Sequence, residues 1–185
     1  MASLIKKIVH PQNYLSSANG LILGTIIALI LGITGYYDQT ALDGVLDLHQ
    51  TRGLSLSDSL MMQFINWLCI SLSFYALAKG FGSKIRLIDI AGILGTIKIW
   101  YLFPVLLGLF IHPNIDIAEI IKGSIPPNLI LIGLVSALFS IIYIVYAFMA
   151  FKVNSHLKDG KLIIAFIAGL VLAEIASKII IHSFI

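Results

Sequence analysis

Five apolar stretches, Gly20–Tyr37, Ser59–Ala78, Ile90–Ile111, Leu129–Phe151 and Leu162–Ser183, set the terms on which this chain can fold. Each runs to roughly 18–23 residues, and at 1.5 Å rise per residue that carries a helix across the roughly 30 Å hydrocarbon core of a bilayer. They fill more than half of the 185 residues, and the loops between them are too short to bury a core of their own. The expected fold is all-α: one polytopic domain over residues 1–185, a bundle of five transmembrane helices. With 59% hydrophobic and only 11% charged residues, the chain has too little polar surface to cover a water-soluble globule.

Lys6 and Lys7 stand where the basic region of a signal peptide would stand. However, Pro11, Gln12, Asn13, Ser16, Ser17 and Asn19 separate them from the first apolar run. No small-residue cleavage pattern follows at Gly32–Gln39, so the first helix is expected to be retained. Cys69 is the single cysteine, which excludes an intramolecular disulfide and reads as a small apolar filler.

Orientation follows from where the positive charges lie. The N-terminus (Lys6, Lys7), the second loop (Lys79, Lys84, Arg86) and the fourth loop (Lys152, Lys158, Lys161) carry eight, against Arg52 and Lys122 in the other two loops. The bias puts the N-terminus in the cytoplasm and the C-terminus outside. Asp38, Asp43, Asp47 and Asp58 crowd the first outer loop. There Leu42, Val45, Leu46 and His49 recur at helical spacing, which predicts a short amphipathic helix over Ala41–Gln50. Ile115–Lys122 has similar character, Pro126-Pro127 starts the fourth span, and Leu4–Val9 suits an anionic lipid surface.

Small residues recur four apart at Gly20, Gly24, Ala28 and Gly32 in the first span and at Ala165, Gly169, Ala173 and Ser177 in the fifth. The third span has Ala91 and Gly95. Such stripes let helix backbones approach closely, which matters where apolar side chains gain nothing by leaving lipid. Pro104 is expected to kink the third helix and leave the carbonyl of Trp100 without its usual donor.

Lys98, Glu174 and Lys178 lie within spans, where each ionisable group costs about 2.5–3.5 kcal/mol on insertion scales. Lys98 is 12 residues past Arg86 and Glu174 is 13 past Lys161, so the two are expected to meet near mid-membrane. Glu174, Lys178 and His182 form a polar stripe toward the outer end. Gln63, Asn66 and Ser73 share one side of the second helix, and Ser136, Ser140 and Tyr143 line the fourth. Two readings stand: a proton, ion or solute path through Lys98, Glu174, Lys178 and His182, or structural neutralisation of Lys98 by Glu174 with Lys178 snorkelling outward.

Constellations of the usual enzymes do not occur. There is no H-E-x-x-H, G-x-S-x-G or P-loop, and Gly53-Leu54-Ser55-Leu56 lacks a closing glycine. The five histidines are scattered, and Asp47 with His49 offers too few ligands for a metal. No catalytic residue, cofactor or metal is assigned, and the basic residues are topological rather than nucleic-acid binding.

The chain resembles the Yip domain family of Ypt/Rab-interacting membrane proteins in its bacterial form. The likeness starts at His10-Pro11 and is clearest over Phe64–Leu107. There an aromatic-rich second helix ends in Tyr75-Ala76-Leu77-Ala78-Lys79-Gly80-Phe81-Gly82, and a third helix carries Trp100-Tyr101-Leu102-Phe103-Pro104. The resemblance implies a compact five-helix membrane protein without catalytic residues. Its partners would be lipid and membrane proteins, or a second copy of the chain. Only 19 residues precede the first span, and the Asp-Leu-Tyr-Gly-Pro motif of eukaryotic members is not among them. That departure points away from GTPase recruitment and toward a bacterial cytoplasmic membrane.

Overall fold

The computed structural model describes residues 17–111 and 126–185, so Leu4–Val9, His10-Pro11 and Ile115–Lys122 lie outside the described residues. The elements run α1 (Ser17–Asp38), β1 (Thr40–Leu42), β2 (Leu48–Gln50), α2 (Leu56–Gly80) and α3 (Leu87–Ile97). A 3₁₀ turn (Lys98–Tyr101) follows, then α4 (Leu102–Ile111), α5 (Pro127–Ser155) and α6 (Asp159–Phe184). With α3, the turn and α4 forming one rod, five helices are long and apolar enough to cross a membrane.

Local chemistry explains their ends. Ser55 caps α2, its Oγ accepting from the Asp58 amide at 3.1 Å, and the Asp58 carboxylate adds favourable charge in the first turn. Pro127 opens α5 at the position where a missing N–H costs nothing, and His156 closes it in the left-handed conformation with φ 54°. In the third span the α-helical ladder is interrupted at Lys98–Tyr101, just before Pro104, and the Leu102 amide reaches back to Ile99 O instead. A proline without N–H, its ring crowding the preceding turn, favours such a tightening.

The first span packs most heavily on the third and the second on the fifth, while the fourth lies against the third. Gly20 and Gly24 bring α1 into backbone contact with Gly92 and Gly95 of α3, and Trp67 lies across the Gly24–Gly95 crossing. Gly32 sits under Leu60, Gly169 under Phe74, and Ala28, Ala165 and Ala173 are fully buried. Ala91 is half-buried, and its carbonyl accepts the Trp67 indole N–H at 2.8 Å. Its neighbour Gly92 makes the close approach. Phe74, Phe151 and Phe166 join the second, fourth and fifth spans at one end. Ile22, Leu68, Leu134, Ile141, Ile164 and Ile179 are more than half exposed, an apolar outer surface far larger than water-facing proteins carry.

The loop between the first two spans departs from expectation. Ala41–Gln50 is not an amphipathic helix but an antiparallel hairpin, registered Thr40 to Gln50, Ala41 to His49 and Leu42 to Leu48. The helical spacing of Leu42, Val45 and Leu46 was misleading. Leu42 and Val45 are only 1% and 3% exposed because the hairpin is inserted among the spans rather than laid on a surface.

The Gly24–Gly95 crossing has no room for a side chain, since a Cβ on Gly95 would come within 2.6 Å of the Trp67 ring. Gly95→Leu should therefore lower stability by about 2 kcal/mol or more, whereas Gly160→Ala, where a Cβ meets nothing within 4 Å, should not. Thermal unfolding of both variants in the same detergent checks this.

Candidate functional site

The tip of the hairpin, Leu42–Asp47, gathers the polar side chains of four spans. Asn66 donates from Nδ2 to Leu42 O at 2.7 Å, the Tyr101 hydroxyl to Val45 O at 3.2 Å, and Ser140 Oγ to Leu46 O at 3.4 Å. The Leu46 amide donates to Glu174 Oε2 at 3.0 Å, and Lys178 Nζ to Asp47 Oδ2 at 2.7 Å. Backbone groups in a short hairpin cannot all pair with each other, and buried ones left unpaired cost about 1–3 kcal/mol each. The spans supply what the hairpin lacks. Gly44 lies directly against the Glu174 carboxylate, leaving no space for a Cβ.

Helix rise locates this docking. Asn66 lies ten residues inside the second span, while Tyr101 and Glu174 lie ten from the ends of theirs, on the same side of the bundle. Ten residues at 1.5 Å each put the tip about 15 Å below the helix ends. The strand Thr40–Leu42 leads inward, and a bend over residues 44–46 forms the tip itself.

Lys98 and Glu174, expected to meet, do not form an ion pair. Lys98 is buried and donates to the backbone carbonyl of Gln63 at 2.9 Å, while Glu174 binds the Leu46 amide and approaches Lys178 at 3.5 Å. The inserted hairpin occupies the carboxylate. Lys178 is partly exposed and bridges Asp47 and Glu174, and His182 is exposed in the last turn of α6. Near Lys98, Gln63 Oε1 and Asn66 Oδ1 are buried without a hydrogen-bond partner.

At the hairpin's outer edge His49 Nδ1 lies 3.6 Å from both Asp43 Oδ1 and Asp47 Oδ1. Asp43 completes a three-ligand cluster that Asp47 and His49 alone could not form, but Lys178 already supplies a cation to Asp47. Asp38, buried at the end of α1, accepts from Thr40 and Gln50 and nestles against Gly108. Burial pushes the Asp47 carboxyl up, but the hydrogen bond and charge of Lys178, joined by His49, outweigh it and hold the group below the ordinary aspartate value.

Sequence reasoning singled out Asn66, Ser140, Glu174 and Lys178 but gave no site role to Tyr101 or Gly44, and it linked none of Asp43, Asp47 and His49 to the span lysine. The density of acids in one short loop facing a span lysine was the available signal. No family model, curated protein or solved structure matches the chain.

A carboxyl with a depressed folded-state pKa stabilises above the ordinary aspartate range, and the contribution disappears as pH falls through that range to the lowered value. Acidification from pH 7 to pH 3 should therefore speed amide hydrogen exchange at Leu46–His49. Lys178→Met should shrink that acid-dependent step, and an identical pH response in both proteins would contradict the assignment.

Proposed function

We propose that the chain is a non-enzymatic integral membrane protein of Yip type. It acts through contacts of its helix faces with lipids or membrane proteins, in a membrane-organising or trafficking-like role. Its N-terminus would lie in the cytoplasm and its C-terminus outside a bacterial cytoplasmic membrane, following the loop charges. The observation that carries this reading is the commitment of Asn66, Tyr101, Ser140, Glu174 and Lys178 to the hairpin. Polar groups costly to place within a span serve here to hold backbone, and that backbone fills the space a solute path would use. The outer faces remain long, aliphatic and available to lipid or to another helix.

A small transporter or channel is the second reading, favoured by one observation. Gln63 Oε1 and Asn66 Oδ1 stand unpaired beside buried Lys98, an interior with unused hydrogen-bonding capacity.

Mass spectrometry of the protein extracted in native lipid discs is the discriminating experiment. The first reading expects a reproducible membrane-protein partner or a retained lipid. It also expects proteoliposome flux no greater than in empty vesicles, for the wild type and for Lys98→Met with Glu174→Gln alike. Flux that the double variant abolishes would replace it with the second.

A further inference from the structure

Between α2 and the first turns of α3 lies an open apolar groove of about 310 Å³, lined by Phe64, Trp67, Leu68 and Ser71 on one side and by Leu87 and Ala91 on the other. At about 30 Å³ for each water-sized group, it has room for about ten methylenes. Its walls ask for nothing polar. The Trp67 indole N–H already donates to Ala91 O at 2.8 Å, and Ser71 Oγ to Trp67 O at 2.7 Å. Leu68 is 58% exposed at the rim, so the groove is open to whatever surrounds the spans.

Positive charge stands beyond one end of the groove. Leu68 and Lys79 are eleven residues apart, about three turns, and so share a face of α2. Tyr75 lies between them, and Lys79 Nζ stands 5.6 Å from the centre of its ring. Lys79 and Lys84 are exposed and join no ion pair among the described residues, whereas Arg86 is matched by Asp89 at 2.7 Å. The surplus at this end is therefore positive.

Length decides the class of occupant. Phe64 to Lys79 is fifteen residues, about 22 Å of helix. Half a bilayer, about 15 Å of hydrocarbon beneath a headgroup layer of about 5–8 Å, has the same depth. A lipid lying along α2 thus brings its acyl chain into the groove and its phosphate to Lys79. An apolar helix laid there would match the walls but not the lysines.

We propose that the groove binds one anionic phospholipid, its acyl chain against Trp67 and Leu68 and its phosphate at Lys79. This deepens the reading that the chain works through lipid contacts of its helix faces, and it rests on that reading.

Trp67 is the reporter. Trp100→Phe leaves it the sole tryptophan, and this parent protein is reconstituted in mixed vesicles of phosphatidylcholine and phosphatidylglycerol in which one lipid or the other carries brominated chains. Brominated phosphatidylglycerol should quench Trp67 at about fivefold lower mole fraction than brominated phosphatidylcholine, the share of one lysine at an anionic surface. Lys79→Gln, at an exposed position, should bring the two lipids level. Ala91→Leu fills the groove and should weaken quenching by both. Equal quenching by the two lipids in the parent, or a preference that Lys79→Gln leaves unchanged, overturns the site while the spans remain in the bilayer. Undiminished quenching in an Ala91→Leu protein that unfolds at the parent's temperature overturns it as well; if that variant fails to fold, Lys79→Gln decides alone. Absence of quenching by either lipid overturns the site and the membrane reading together.

Discussion

The structure depends on the hydrogen-bond requirements of backbone that is not in a helix. Five rods of apolar residues satisfy their own amides and carbonyls and could associate in many ways. The hairpin cannot, since its strands are three residues long and its tip enters the bundle. Each carbonyl at that tip must find a donor, and the donors stand on the second, third and fourth spans, while the acceptor for the Leu46 amide stands on the fifth. The insertion therefore fixes where those spans lie relative to one another. It does so with directional contacts that aliphatic packing cannot provide.

This places the costly residues of the spans in a different light. Asn66 and Glu174 are unfavourable in hydrocarbon, but with the hairpin in place Asn66 Nδ2 donates to Leu42 O and Glu174 accepts from the Leu46 amide. The apolar residues of the hairpin contribute differently from those of the spans. Leu42 and Val45 belong to a loop that starts in water, so their burial carries the ordinary hydrophobic gain of about 1.5–3 kcal/mol each. A span leucine moving from lipid to a neighbouring helix gains little of that kind. Lys98 is of another sort. It is buried, and its bond goes to Gln63 O on the second span rather than to the hairpin.

The five rods were legible in the sequence because length and apolarity alone specify them, and the interruption before Pro104 follows from a missing amide. The stripe at Gly20 and Gly24 was legible as a close-packing face, although Gly92 rather than Ala91 meets it, since four-residue spacing does not fix which of two adjacent small residues faces the partner. The hairpin was not legible. Leu42, Val45 and Leu46 fit a helical face as well as a buried turn, and the contacts that decide between them come from residues far along the chain. For the same reason the depth argument that paired Lys98 with Glu174 could not show that the carboxylate would be taken up by the Leu46 amide.

Leu46 is tied to Ser140 and Glu174, which lie 94 and 128 positions later in the chain. During synthesis the hairpin leaves the ribosome just ahead of the second span, which brings Asn66, but most of its other partners do not yet exist. Contacts at such separations form late because a long loop must close first. The hairpin therefore waits, and the bundle locks only when the final helix arrives, so a chain halted before Glu174 lacks the acceptor and the cation that hold the tip in place.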